Sequence, residues 1–135
     1  MSVYYSDSCT DYADNILVVE WSQQVWEGHL KKHPQLIDMK NASSMIHSAV
    51  GDPSVVMEGT LPGGGSELIV IYYREVRSHQ IFVTYIKVVS GVDGNRRYIK
   101  TVFEERAPAD LVIQEKKYPK DFKEIWRTSN KITIL

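Results

Sequence analysis

Between Val55 and Arg106 the chain carries four blocks dense in Val, Ile, Tyr and Phe, and these narrow the fold more than any other feature. They are Val55 to Glu58, Leu68 to Val76, Gln80 to Val89 and Arg97 to Arg106. β-Branched and aromatic residues in runs of this length fit strands. Turn chemistry separates them at Pro62-Gly63-Gly64-Gly65, at Arg77-Ser78-His79 and at Gly91-Val92-Asp93-Gly94-Asn95. Connections this short join antiparallel neighbours, so the blocks predict a four-stranded meander that Pro108 closes.

Upstream the periodicity is helical. Ile16 to Glu20 is a short apolar run that fits an edge strand. Ser22 can cap a helix over 23–33, because its hydroxyl can accept an orphan backbone amide. Pro34 ends that helix, since the residue before proline avoids helical angles. A second helix is expected over 35–50, with Leu36, Met39, Ser43, Ile46 and Val50 as its stripe and Met45 and Ala49 alongside. Gly51-Asp52-Pro53 stops it. The segment from Tyr118 to Trp126 reads as a short helix docking an aromatic. The predicted class is α+β: two N-terminal helices packed on a four-stranded antiparallel sheet, with a short C-terminal helical segment.

With 135 residues and 43% hydrophobic composition, the chain has the size and character of one domain. That domain is expected over 16–135, behind an acidic, poorly ordered leader at 1–15. The formal net charge of −1 excludes a histone-like polycation. The charge is uneven, however. Asp7, Asp11, Asp14, Glu20 and Glu27 face no Lys or Arg in residues 1–27, which leaves twelve acids against sixteen bases beyond them. The acidic start is either a solvated tail or an arm that screens a basic site. Cys9 is the single cysteine, so no intramolecular disulfide forms, which suits a reducing, cytoplasmic compartment. No apolar run approaches the ~18 residues of a membrane span, and the start lacks the pattern of a secretory signal. No membrane partner is expected.

Several residues carry candidate chemistry. His29 and His33 lie four apart and share a helix face with Trp26 and Leu30. This is also the spacing of two zinc ligands, but the motif lacks its glutamate, and Lys31 and Lys32 oppose a dication. No metal and no cofactor are expected. The structural alternative is an imidazole stacked on Trp26. Small basic groups recur at Lys31-Lys32-His33, at Arg74 with Arg77 and His79, at Arg96-Arg97 with Lys100, and at Lys116-Lys117 with Lys120. Each alone is a solvated surface; together they would offer phosphates one face. In the fourth strand, alternation places Thr101 on a row with Ile99, Phe103 and Glu105. In the second strand it places Tyr72 and Arg74 on one face and Tyr73 and Glu75 on the other. The triple glycine lacks the Lys-Ser/Thr of a phosphate loop and reads as a hairpin tip.

Two segments together resemble a known pattern. Val25-Trp26-Glu27-Gly28-His29-Leu30-Lys31-Lys32-His33-Pro34-Gln35-Leu36 is similar to the H-[IL]-x-[RK]-H-P-E helix end of phage-type nucleases in the barnase–EndoU–colicin–RelE superfamily. Gln35 stands where that pattern has Glu. Ile46 to Pro53 fits the second helix and proline break that follow. Tyr72-Tyr73-Arg74, then Ile81 to Val89 and Tyr98 to Phe103, resembles the superfamily's Y-Y-[RK] strand, apolar strand and Thr-bearing strand. The likeness spans about residues 22–106.

The resemblance implies an α+β, metal-independent ribonuclease. His29, His33, Arg74 and Thr101 would be its catalytic residues, and Lys31, Lys32, Tyr72 and Tyr73 would bind substrate. RNA would be the partner, tRNA among the candidates, together with a cognate inhibitor or other partner protein. The residue types suit transesterification. A base takes the 2′-hydroxyl proton, the oxygen attacks the adjacent phosphorus, and an acid protonates the departing 5′-oxygen. Histidine suits both roles because its ordinary pKa of about 6.5 lies near working pH. Arg74 with Lys31 or Lys32 would stabilise charge on the phosphoryl oxygens, and Thr101 would position one of them. The alternative is a non-catalytic RNA- or protein-binding regulatory domain on the same scaffold, of toxin–antitoxin or phage-defence type.

Overall fold

The computed structural model describes residues 3–32, 39–60, 67–78, 82–108 and 122–127. The described elements are β1 (Val3–Thr10), β2 (Ile16–Ser22), α1 (Gln23–Lys32), α2 (Met39–Gly51), β3 (Val55–Gly59), β4 (Ile69–Ser78), β5 (Phe82–Asp93), β6 (Arg96–Pro108) and β7 (Lys123–Arg127).

The expected meander is present. β3, β4, β5 and β6 pair in sequence, each antiparallel to the next. The expected whole is not. Among the described residues the sheet has seven strands in the order β1-β2-β6-β5-β4-β3-β7, and it is mixed, because β2 runs parallel to β6. Two helices on a four-stranded antiparallel sheet is therefore corrected to two helices within a larger mixed sheet. The reason is long-range pairing. Val18, Val19 and Glu20 pair with Arg96, Arg97 and Tyr98, and no local turn signal announces a partnership that distant in sequence.

The acidic leader is also different from its expectation. Val3–Thr10 is a strand, paired with β2 from Val3 opposite Ser22 to Thr10 opposite Ile16. It is tied to α2 by Tyr5 Oη and Ser43 Oγ at 2.8 Å, and by Asp7 Oδ2 and His47 Nε2 at 2.9 Å. The C-terminal helical segment is corrected as well. Residues 123–127 form β7, which pairs antiparallel with β3 and extends the sheet at that edge.

The helices follow their local signals. Ser22 Oγ accepts from Val25 N–H at 3.2 Å, which caps α1. Ala42, Met45, Ile46, Ala49 and Val50 are buried at a spacing of three and four, the stripe of a helix against a core. α2 is described from Met39, and residues 35–38, where the expected helix begins, lie outside the described residues. Its buried stripe touches β1, β4, β5 and β6, so the sheet wraps around this helix.

Both faces of the sheet are covered. Val56, Val70, Tyr72, Ile86, Val88, Ile99 and Val102 pack with Trp21, Trp26 and the α2 stripe. On the other face Val55, Met57, Ile69, Ile71, Tyr73, Tyr85 and Val89 form a second core with Phe122. Ile69 to Tyr73 is accordingly a continuous apolar run, the mark of a strand buried on both sides. Each fully buried Val or Ile contributes about 1.5–3 kcal/mol relative to an exposed one.

Candidate functional site

The end of α1 is the first part of the site. His29, Lys31 and Lys32 lie in the last turn of this ten-residue helix, their side chains outside the described part of the structure. His33 lies outside the described residues. α1 packs against β1, β2 and β6 through Trp26, whose ring meets Trp21 edge-on at 4.8 Å between centroids. That edge-to-face contact fixes the helix on the sheet. Lysines close to a helix C-terminus complement its negative dipole end.

Arg74 lies on the helix-bearing face, where it is occupied. Its Nη1 donates to Asp52 Oδ2 and to the Asp52 carbonyl, both at 2.7 Å. It joins β4 to the turn after α2, next to Ser54 N–H donating to the Tyr73 carbonyl at 2.6 Å and Glu75 N–H donating to Ser54 Oγ at 2.9 Å. Tyr72 is buried on the same face and its Oη accepts from Arg97 Nε at 3.1 Å. Burial pushes the Tyr72 phenol above its ordinary range, and the Arg97 charge and hydrogen bond oppose that. Arg97 also donates through Nη1 to the carbonyls of Gly94 and Arg96, at 2.9 and 3.0 Å. These bonds make it a clamp on the β5–β6 hairpin.

Thr101 lies on the opposite face. The register steps from Val89 opposite Thr101 to Ser90 opposite Ile99, which leaves Lys100 as an extra residue. This bulge breaks the alternation that put Ile99 and Thr101 on one row. Ile99 belongs to the helix-side core, whereas Thr101 stands opposite Val89 of the second core. Tyr73 is on that second face too, against Tyr85 at 5.5 Å. Lys87 lies between Tyr73 and Phe103 in register, its Nζ 5.7 Å from the Tyr73 ring and 5.6 Å from the Phe103 ring. The proposed polar set thus divides. Tyr72 and Arg74 share the face that carries α1, and Tyr73 and Thr101 share the other.

No family model, curated protein or solved structure matches the chain.

Sequence reasoning passed over Arg97 and Lys87 as individuals. Arg97 was visible as part of a basic group, but its phenol partner is 25 residues away. The Lys87 signal was a lone cation inside an apolar strand, a position that calls for neighbouring aromatic rings. Among the described residues no three His, Cys, Asp or Glu gather as a metal site, and no helix is long and apolar enough to cross a membrane. Chemically, the helix-bearing face offers the Arg74–Asp52 pair and the Tyr72 phenol held by Arg97. The other face offers a cation held among aromatic rings.

Proposed function

We propose that the chain is a metal-independent ribonuclease whose acid–base chemistry is concentrated at the end of α1. One observation carries this: Ser22 and Trp26 anchor a helix whose last described turn carries His29, Lys31 and Lys32, the part of the chain that resembles the superfamily's helix end. In this scheme His29 and His33 divide the roles of base and acid. Lys31 and Lys32 stabilise the charge that develops on the phosphoryl oxygens. Arg74, held by Asp52, supports the turn after α2 instead of reaching the phosphate. RNA is the substrate, tRNA included, with a cognate inhibitor protein as a second partner and the cytoplasm as the place of action.

The test is incubation of purified chain with several RNAs, tRNA among them, in excess EDTA. The expected products carry 2′,3′-cyclic phosphate ends. His29→Ala and His33→Ala should each lower the rate by about 10²–10⁴-fold, the usual contribution of a general acid or base. Intact RNA under all conditions removes catalysis.

The separation of Arg74 from Thr101 favours a second scheme, a non-catalytic regulatory domain that binds RNA or a protein. Such a domain would keep its ligand when both histidines are replaced by alanine. A steep salt dependence would identify RNA, and a stable complex with a flat salt slope would identify a protein.

A further inference from the structure

Arg97 is held at three points and keeps one arm to spare. Its Nε donates to Tyr72 Oη at 3.1 Å, and its Nη1 donates to the carbonyls of Gly94 and Arg96 at 2.9 and 3.0 Å. Its Nη2 makes no hydrogen bond or ion pair among the described residues. The guanidinium is a rigid planar fork, so fixing three of its N–H groups also fixes the direction of the remaining two.

Tyr72 has the matching property. It is 1% exposed, and its oxygen accepts from Arg97. Its own O–H has no acceptor among the described residues. A buried donor left unpaired is costly and calls for an explanation.

The surroundings are aromatic and acidic. Tyr72 stands opposite Val56, and Val56 stands opposite Trp126. Directly opposed residues of antiparallel strands share a face. Trp126 stacks on Tyr12, which packs against the same helix-side core. Glu58 stands opposite Val70 of that core. Tyr12 and Glu58 are both half-buried, and neither makes a hydrogen bond among the described residues. Burial pushes the Tyr12 phenol up; the charges of Asp11 and Glu58 reinforce this and that of Arg97 opposes it. Asp11 is already occupied by Ala13 N–H, Asn15 N–H and Asn15 Nδ2. The groups left over are two donors, at Tyr72 and Arg97, one carboxylate acceptor, at Glu58, and an aromatic wall. A phosphate or carboxylate ligand would meet the negative charge of Glu58, whereas a neutral polar ring satisfies both kinds of group.

We infer that Tyr72, Arg97 and Glu58 form a binding site for a planar ring with a lactam edge, a carbonyl beside an N–H, as in uracil or hypoxanthine. The ring carbonyl accepts from the Tyr72 O–H and from Arg97 Nη2, and the ring N–H donates to Glu58. The flat face of the ring lies against Tyr12 and Trp126. The site is distinct from the end of α1 and does not require that the chain cleave RNA.

The experiment titrates the full chain with uridine and reads tryptophan fluorescence, because Trp126 borders the site. Uridine and inosine should bind. 3-Methyluridine lacks the ring N–H and adenosine lacks the carbonyl, so each should bind about tenfold more weakly, the effect of one hydrogen bond. Glu58→Ala should weaken uridine binding by a similar factor and abolish the preference for uridine over 3-methyluridine. Tyr72→Phe should weaken uridine binding but keep that preference. Glu58→Ala removes no hydrogen bond among the described residues, so it reports on the site even if Tyr72→Phe does not fold. A 2′-deoxy-oligouridylate separates two sources of the ring. Tighter binding than uridine points to a base within a strand, and equal or weaker binding points to a free nucleoside; both support the site. No response to uridine, equal binding of uridine and 3-methyluridine by the unaltered chain, or a preference that survives Glu58→Ala overturns it.

Discussion

Tyr12 stacks on Trp126, with ring centroids 5.0 Å apart and 29° between the planes. Tyr12 belongs to the turn between β1 and β2, at one end of the strand order, and Trp126 belongs to β7 at the other. The contact joins the two ends of the strand order. An aromatic pair of this kind contributes about 0.5–1.5 kcal/mol beyond its buried area. A double-mutant cycle of Tyr12→Ala and Trp126→Ala should return a coupling of that size in denaturant unfolding. Strictly additive single effects would show that the two edges are joined by something else.

Deleting residues 1–15 tests the leader directly. A screening arm would leave a folded chain with stronger RNA binding. β1, however, pairs with β2 along its whole length and buries Cys9 at 3% exposure. It also carries the Tyr5 and Asp7 ties to α2. The shortened chain should lose its cooperative thermal transition and gain no RNA affinity. A stable, tighter-binding product would restore the screening arm.

Two glycines make opposite predictions for one substitution. A Cβ at Gly28 or at Gly94 would meet no atom within 4 Å, so backbone conformation alone decides the sign. Gly94 has φ of +60° at the first central position of the Gly94-Asn95 hairpin turn, as a II′ turn requires. Gly94→Ala should destabilise the chain by about 1–2 kcal/mol. Gly28 lies inside α1, where alanine should add about 0.5–1 kcal/mol. Chemical denaturation of both variants reads the two signs side by side.

Cys9 gives a pH dependence. Burial, reinforced by the charges of Asp7 and Asp11, pushes its thiol up to about 11 from 9.0. The folded state then holds this proton more tightly than the unfolded state. Stability from this source is complete below about pH 9 and falls as the pH rises towards 11. Cys9→Ala should flatten that part of the stability curve. Thiol reagents at pH 8 should modify the native chain far more slowly than the unfolded one, because the thiolate is scarce and shielded. Rapid labelling of native protein would mean that β1 opens readily.

Local chemistry made part of this molecule legible in advance. Ser22 announced the start of α1, Gly51 marked the end of α2, and four runs of Val, Ile and Tyr announced the β3–β6 meander. Each of these depends on contacts within a few residues. Three features were decided by the tertiary structure alone. Val18 to Glu20 chose Arg96 to Tyr98 as parallel neighbours, which turned a four-stranded sheet into a mixed one of seven strands. A bulge at Lys100 reversed the face that strict alternation assigns to Thr101. Lys123 to Trp126, read as part of a helix, lies in a strand that pairs with the edge of β3. The division has a physical cause. Caps, turns and apolar periods are short-range free energies written residue by residue. Register and strand partnership depend on which distant backbone amides and carbonyls are left to pair once the core has formed, and a single extra residue inverts every side chain beyond it.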